Sequence, residues 1–200
     1  MNDVYNPGQL LQVAKLLKTP PKWMVLGGPS NANEAQTAVS TWPAVRVLGV
    51  EPNEDHATWQ LDNGWPRGQP LLPAALTDAD GLVVFHPIEG TSGGTLLDLP
   101  TELAPRTVTG VTLDTLDREY GPFEDVLLWL DVEGSEAATL RGASGLLASG
   151  RVLAVSVEVC DRTPRVTDEI ASILTAAGLV GPTRWASSPP AYHDELWVRG

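Results

Sequence analysis

The sequence predicts an α/β fold in which helices cover both faces of a mostly parallel sheet. Short apolar runs alternate with amphipathic segments of helical period along most of the chain. The apolar runs are continuous, which is typical of strands buried on both faces. Prolines and glycines fall between these runs as turns. The 200 residues fit a single domain over residues 1–200, with residues 1–21 as a short N-terminal helical extension.

The first half of the chain supplies three of the predicted strands. An amphipathic helix over residues 7–18 precedes the strand "KWMVLGG", and "NANEAQTAVSTW" is a helix that Asn31 caps, with Glu34 as its capping-box partner. "VRVLGVEPN" is the second strand, "ATWQLDNG" the next helix and "QPLLPAAL" the third strand.

The second half begins with two β-like runs, "GLVVFHP" and "RTVTGVTLD", around the loop "IEGTSGGT", which predicts a hairpin or edge strands. "VLLWLD" and "VLAVSVEVC" are buried strands, and "SEAATLRGASGLLASG" between them is a helix followed by a short second one. "RVTDEIASILTAAG" is an amphipathic helix that Gly178 ends. The closing runs "LVGPTRW" and "ELWVRG" predict an antiparallel pair.

Composition excludes several classes of function. A formal net charge of -12 argues against binding to nucleic acid and to anionic membranes, and it favours a small cationic ligand. Cys160 is the only cysteine, so the chain forms no internal disulfide and no zinc site built from several cysteines. The N-terminus lacks the features of a signal peptide and no apolar run is long enough to span a bilayer. We therefore expect a soluble, cytoplasmic protein.

Candidate chemistry lies at the carboxyl ends of the strands, where open α/β sheets bind ligands. The first strand ends at Gly27 and Gly28, and the second ends at Glu51, 23 residues after Gly28. Glycines let a ligand approach the backbone, and an acid at this separation can accept both hydroxyls of a ribose. "GGPSNA" lacks the glycine spacing that a pyrophosphate needs, which favours a nucleoside ligand. The alternative is a plain turn followed by an exposed glutamate.

The stretch "LWLDVEGSEAATLRGA" ends another buried strand with three carboxylates. Asp131 follows an apolar run directly, so it lies beside buried surface and is a candidate for chemistry. Gly134 permits a sharp turn and Ser135 is a plausible helix cap. Glu136 lies in the first helical turn, where the helix dipole favours an acid, so we interpret it mainly as a helix-start residue.

The segment from Thr107 to Val159 resembles the FkbM-type methyltransferases, which are class I enzymes dependent on S-adenosylmethionine. The pattern is "TLD", an apolar strand ending in "DVEGSE", a helix with "LRGA", and a strand ending in Glu158. "VEPN", "AALTDADG" and "DELWVR" also match, so the resemblance runs from Trp23 to Arg199. It implies a Rossmann-like class I methyltransferase fold with a seven-stranded sheet and an antiparallel C-terminal strand pair.

The resemblance also implies roles for particular residues. The cofactor S-adenosylmethionine would be bound by Gly27, Gly28, Glu51, Asp78 and Asp131, with Glu51 on the ribose and Asp78 near the adenine. The catalytic residues would be Asp131 at the reaction centre and Glu133 and Glu158 on the acceptor side. Carboxylates there could accept a proton from an alcohol or hold a divalent metal through oxygen ligands, and both alternatives stay open.

Five residues depart from the pattern of the resemblance. Leu26 replaces an acid, Pro29 an alanine, Ala32 a glycine, Trp129 a lysine and Cys160 a histidine. The sequence therefore supports two hypotheses. The first is an O-methyltransferase acting on a hydroxyl of a small molecule or sugar, and the alternative is a catalytically silent binding or interaction module. A nucleotide-binding oxidoreductase would need a phosphate-binding loop that "GGPSNA" does not supply.

Overall fold

A seven-stranded sheet forms the centre of the protein, and helices pack on both of its faces. The computed structural model describes residues 7–29, 31–88, 94–97, 103–160, 164–186 and 192–200. The helices are α1 (Pro7–Leu16), α2 (Asn33–Thr41), α3 (Glu54–Asp62), α4 (Leu113–Tyr120), α5 (Glu136–Arg141), α6 (Ser144–Ala148) and α7 (Pro164–Ala176). The strands are β1 (Trp23–Gly27), β2 (Arg46–Val50), β3 (Leu71–Leu72), β4 (Ala75–Leu76), β5 (Gly81–Pro87), β6 (Gly94–Thr95), β7 (Arg106–Val111), β8 (Val126–Leu130), β9 (Val152–Cys160), β10 (Leu179–Ala186) and β11 (Tyr192–Arg199).

The order of strands in the central sheet is β10-β11-β9-β8-β1-β2-β3. The pairs among β3, β2, β1, β8 and β9 are parallel, whereas β11 runs antiparallel to both β9 and β10. The predicted α/β class, the mostly parallel sheet and the antiparallel C-terminal pair are therefore confirmed.

The continuous apolar runs are buried on both faces because each face carries its own core. Every residue of β1 and of β8 is buried. Val25 and Leu128 point to the face covered by α4, α5, α6 and α7, while Met24 and Leu26 point to the face covered by α1 and α2. Since side chains alternate along a strand, this division tells which face each residue at the strand ends occupies.

The prediction of one strand over "QPLLPAAL" is wrong. Leu71–Leu72 pairs with β2 in the central sheet, but Ala75–Leu76 pairs with β7 in a separate sheet. Pro73 lies between the two and has no N–H to donate, so the ladder stops there. The third strand of the central sheet therefore ends at Leu72, before the end of the predicted strand.

The second sheet has the strand order β4-β7-β5-β6. The antiparallel pairing of β5 with β7 confirms the hairpin predicted from "GLVVFHP" and "RTVTGVTLD". Most of the glycine-rich loop between them, residues 89–93, lies outside the described residues.

The predicted capping box at the start of α2 does not form. Residue Ala32 precedes the first helical residue, and Asn31 Oδ1 accepts the N–H of Asn33 at 2.9 Å in a turn before the helix. Glu34 is buried with only 7% of its surface exposed, and it accepts a hydrogen bond from its own backbone N–H. Its side chain therefore turns inward instead of reaching back to the cap.

In the described ranges, none of the helices combines the length and the apolar character that crossing a lipid bilayer requires.

Candidate active site

Four carboxylates and a glycine form a row across five adjacent strands at the carboxyl edge of the parallel sheet. Gly27 is in register with Val50 on β2 and with Leu130 on β8, so Gly28 lies between the next residues of those strands, Glu51 and Asp131. Leu130 is in register with Val157, which places Asp131 beside Glu158, and Glu158 is itself paired with Asp194 on β11. The acidic row is therefore Glu51, Gly28, Asp131, Glu158 and Asp194.

The acidic row faces the side of the sheet that α1 and α2 cover. Leu26 and Trp129, each two residues before a member of the row, pack in the core under these helices, and so does Leu196, two residues after Asp194. Side chains two residues apart on a strand point to the same face of the sheet, so the side chains of the row point to the face that α1 and α2 cover. Helix α1 reaches the end of the row, where Gln9 Nε2 donates to Asp194 Oδ2 at 2.8 Å.

Asp131 lies at the centre of the row, next to other carboxylates. Burial raises the pKa of Asp131 well above its ordinary value, and the negative charge of Glu158 adds to the increase. Smaller contributions in the same direction come from Glu133, Glu136 and Asp194. A carboxyl with a raised pKa is a stronger proton acceptor once ionised, which suits a general base.

Glu51 lies at the β2 end of the row, opposite Asp194 at the β11 end, and only 5% of its surface is exposed. Its Oε1 accepts the backbone N–H of Asn53 at 2.8 Å, which fixes the carboxylate. Burial raises the pKa of Glu51 to about 8, and the hydrogen bond from Asn53 only partly opposes this. Once ionised, the Glu51 carboxylate could accept two hydrogen bonds from a diol.

Gly28 brings β1 and β8 close together. A Cβ atom at Gly28 would lie 1.8 Å from the carbonyl oxygen of Asp131, and φ is +70°. Gly27 points to the other face, where a Cβ would meet Leu76 and Val132 side chains at 2.6 and 2.9 Å. The packing of the protein itself thus requires both glycines, and contact with a cofactor stays a prediction for each.

The turn after β8 has an uncommon backbone. Glu133 has φ of +53°, a left-handed conformation that a non-glycine residue adopts only at a cost, and Gly134 follows with φ of +97°. The carbonyl oxygen of Glu133 accepts the Thr95 hydroxyl at 2.6 Å. This turn directs the half-buried Glu133 toward Asp131, whose pKa responds to its charge.

Glu136 organises the same turn from the start of α5. Its Oε1 accepts the backbone N–H groups of Val132 and Gly134 at 3.2 and 3.1 Å, and Ser135 is the cap residue without a side-chain hydrogen bond. These contacts agree with the interpretation of Glu136 as a helix-start residue. They also hold the backbone beside Asp131 in place.

Asp78 lies apart from the acidic row. It follows β4 and forms an ion pair with Arg141 of α5 at 3.0 Å, and Arg141 also pairs with Glu169 at 2.5 Å. These residues line a groove of about 960 Å³ between the hairpin β5–β7 and helices α5 and α7. The predicted contact of Asp78 with adenine stays a prediction.

The residues of the "TLD" segment, Thr112 to Asp114, stabilise helices α4 and α6 and are not members of the acidic row. Thr112 caps α4 by accepting the N–H of Thr115 at 3.1 Å, and Leu113 is fully buried. Asp114 accepts the N–H groups of Gly145 and Leu146, both at 2.8 Å, and so caps α6 from a different helix.

Sequence reasoning missed Asp194 as a site residue. It is more than thirty positions from Glu158, and only the antiparallel register of β11 on β9 brings the two together. Burial raises the pKa of Asp194, against the effect of the Gln9 hydrogen bond. The one signal in the sequence was the pair of acids that opens the "DELWVR" strand.

The arrangement of the side chains does not support the alternative that the carboxylates hold a divalent metal. Within the part of the chain that the structure describes, no group of three or more His, Cys, Asp or Glu side chains could hold a metal ion.

The strand order, the single reversed strand and the site at the carboxyl edge define the Rossmann-like class I methyltransferase fold. Solved structures share it. One is precorrin-6y C5,15-methyltransferase from Geobacter metallireducens GS-15, with a TM-score of 0.53 and 13% identity, covering 96% of this chain and 87% of that one. Another is Aeropyrum pernix fibrillarin with natively bound S-adenosyl-L-methionine, with a TM-score of 0.54 and 17% identity, covering 94% of this chain and 74% of that one.

The chain belongs to the methyltransferase FkbM domain family, whose profile matches residues 31–179. This match confirms the resemblance to that family. A curated relative is the 2-O-methyltransferase NoeI of Sinorhizobium fredii (strain NBRC 101917 / NGR234), 23% identical over 159 residues. The match covers 71% of this chain and spans 65% of the length of that relative.

Proposed function

We propose that the protein transfers the methyl group of S-adenosylmethionine to a hydroxyl oxygen of a small molecule or sugar. The observation that carries this proposal is the acidic row, with Asp131 at its centre between Gly28 and Glu158. The family supports methyl transfer. The name of the relative NoeI, a 2-O-methyltransferase, supports oxygen as the acceptor atom.

The cofactor would lie over the β1–β2 side of the row. Glu51 would accept the two ribose hydroxyls, and the methionine part would lie near Gly28, which is next to Glu51 in the row. The sulfonium would then lie near Asp131, where a carboxylate stabilises its positive charge. Bound cofactor supplies the activated methyl group.

The acceptor would lie over the β8–β9–β11 side of the row. When bound, the cofactor would supply its methyl group to the hydroxyl oxygen of the acceptor and would leave as a neutral thioether that keeps the electrons of the broken carbon–sulfur bond. The hydroxyl proton passes to the carboxylate of Asp131. Glu133, Glu158 and Asp194 would orient the acceptor, since much of the catalysis of an in-line transfer is positioning.

Methyl transfer to a panel of methyl glycosides and polyols, with methyl-labelled cofactor, tests this proposal. We expect label on oxygen, and we expect Asp131→Asn to lower the transfer rate by about 100-fold or more. Binding of S-adenosylhomocysteine by that variant should change little, because this product lacks the sulfonium charge. Label on nitrogen or carbon only, or full activity of Asp131→Asn, would show the proposal to be wrong.

The second candidate is a binding module that retains the fold without catalysis. Leu26 and Trp129 favour it, because both are buried apolar residues on the same face as the acidic row. This candidate predicts binding of S-adenosylhomocysteine with no label transfer to any acceptor. Label transfer that Asp131→Asn abolishes would eliminate it.

A further inference from the structure

Glu34 is a buried carboxylate that the proposed reaction does not yet use. It lies in the first turn of α2, directly after the loop that follows β1, and only 7% of its surface is exposed. Its Oε2 has no hydrogen-bond partner in the part of the chain that the structure describes. A buried, unpartnered carboxylate oxygen costs free energy unless a ligand satisfies it.

The position of Glu34 on its helix directs it toward the sheet. Ala38, one helical turn later, is also buried and packs in the core with Met24 and Leu26 of β1. Helix α2 begins at the carboxyl edge of the sheet, because it follows β1 and leads back to the start of β2. Glu34 therefore lies over the face of the acidic row, at the edge where Gly28 ends β1.

The neighbours of α2 show which way Glu34 faces along the row. Gln36 donates to the backbone of Gly64 at the end of α3, so this side of α2 faces α3. Glu34 is two residues earlier and lies on nearly the opposite side of the helix. It thus faces away from α3 and toward the part of the row formed by β1 and β8.

We propose that Glu34 binds the α-ammonium group of the methionine part of S-adenosylmethionine. This inference rests on the proposed function, because it takes that cofactor as the ligand. The cofactor carries two cationic centres. Asp131 lies where the sulfonium would be, and Glu34 supplies the second carboxylate at the β1 end of the site.

Two further facts support this assignment. Leu26 is buried in the core under α1 and α2, so β1 itself offers no acid to an ammonium group. Burial also raises the pKa of Glu34 to about 7, so its carboxyl is partly ionised at neutral pH. A cation beside it would favour the ionised form and satisfy Oε2.

Calorimetry with two ligands tests this assignment. S-Adenosylhomocysteine has the α-ammonium group, whereas 5′-methylthioadenosine lacks the whole amino-acid part. We expect Glu34→Gln to weaken binding of S-adenosylhomocysteine by about 10-fold or more and to leave binding of 5′-methylthioadenosine within about 2-fold. Glu119→Gln is the matched control, because Glu119 is exposed on α4.

The outcomes separate the two proposals. If the wild-type chain binds S-adenosylhomocysteine and Glu34→Gln binds it equally well, the assignment of Glu34 is wrong and the proposed function stands. An equal loss for both ligands also overturns the assignment. If the wild-type chain binds neither ligand, the proposed function fails and the assignment fails with it.

A measurement on the wild-type chain avoids dependence on the folding of the variant. The analogue of S-adenosylhomocysteine in which hydrogen replaces the α-amino group should bind about 10-fold more weakly than the parent. Equal affinities for the two compounds would overturn the assignment.

Discussion

Gly28 is the residue whose identity the backbone constrains most tightly at the site. A side chain there would meet the carbonyl oxygen of Asp131 in addition to the strain of a positive φ. We expect Gly28→Ala to lower the free energy of unfolding by about 3 kcal/mol or more, as measured by denaturant unfolding. Gly150→Ala separates the two effects, since Gly150 has φ of +76° with nothing within 4 Å of its Cβ position.

The control should cost only about 1 kcal/mol, the penalty of the left-handed conformation alone. If the two substitutions lowered the free energy of unfolding equally, the contact with Asp131 would not contribute to the loss of stability at Gly28. The close approach of β1 to β8 would then fail as the explanation of this glycine.

Individual residues of the site differed in how far the sequence could predict them. The positions of Asp131 and Glu51 could be predicted because each residue directly follows an apolar run. A residue that directly follows a buried parallel strand lies at the carboxyl edge of the sheet. Glu34 had a simpler explanation as a capping residue, and only its burial and its unpartnered oxygen contradict that explanation. The direction of a side chain on a helix depends on what packs around it.

At the scale of elements, Asp114 connects α4 to α6. Residue Ala143 precedes α6 and provides no side-chain cap, so the carboxylate of Asp114 accepts the first N–H groups instead. We expect Asp114→Ala to lower the free energy of unfolding by about 1–3 kcal/mol in denaturant titrations. Asp62→Ala, at an exposed site on α3, should change it by less than about 0.5 kcal/mol.

Asp194 on β11 and Asp131, directly after β8, interact electrostatically. The negative charge of Asp194 contributes to the raised pKa of Asp131. Removing that charge with Asp194→Asn should lower the pKa of Asp131, which titration of carboxyl carbons by NMR measures. Asp62→Asn is the control, and an Asp131 titration that Asp194→Asn leaves in place would contradict the coupling.

The register between strands that are distant in the sequence could not be predicted from the sequence. Apolar runs predict that β9 and β11 exist, but not that Asp194 pairs with Glu158. The same limit explains the error at "QPLLPAAL", where two short strands join different sheets on either side of Pro73. Long-range pairing depends on contacts that no local pattern contains.

At the scale of the whole molecule, buried carboxyls make stability depend on pH. Glu34 and Glu51 have pKa values raised to about 7 and about 8, and Asp131 and Asp194 are raised as well. The folded chain therefore holds these protons more tightly than the unfolded chain. Their contribution is fully present below the unfolded-state pKa and is lost as pH rises through the folded-state values.

We expect the thermal unfolding midpoint to fall by several degrees as pH rises from about 5 to about 8. Glu34→Gln should reduce this slope more than Glu119→Gln, although both remove one negative charge. The salt bridge of Asp117 with Arg151 acts in the opposite direction, because the pKa of Asp117 is lowered and its contribution is lost in acid. A midpoint that rises between pH 5 and 8 would contradict the raised pKa values of these carboxyls.

The overall architecture was the level that the sequence predicted best. Alternating apolar strands and amphipathic helices determine an α/β sandwich almost without alternatives, and the motif order identified the family that the profile of residues 31–179 confirms. Packing energy is distributed over many residues at this scale, so single departures such as Ala32 or Cys160 leave the fold unchanged.

Calorimetric titration of the wild-type chain and of Glu51→Gln with S-adenosylhomocysteine tests most directly that the carboxyl edge is a cofactor site. We predict saturable binding at one site per chain for the wild type, and an affinity at least about 10-fold weaker for Glu51→Gln, because a neutral amide replaces the ribose-binding carboxylate. Absence of binding at millimolar ligand, or equal binding by the two proteins, would contradict this account.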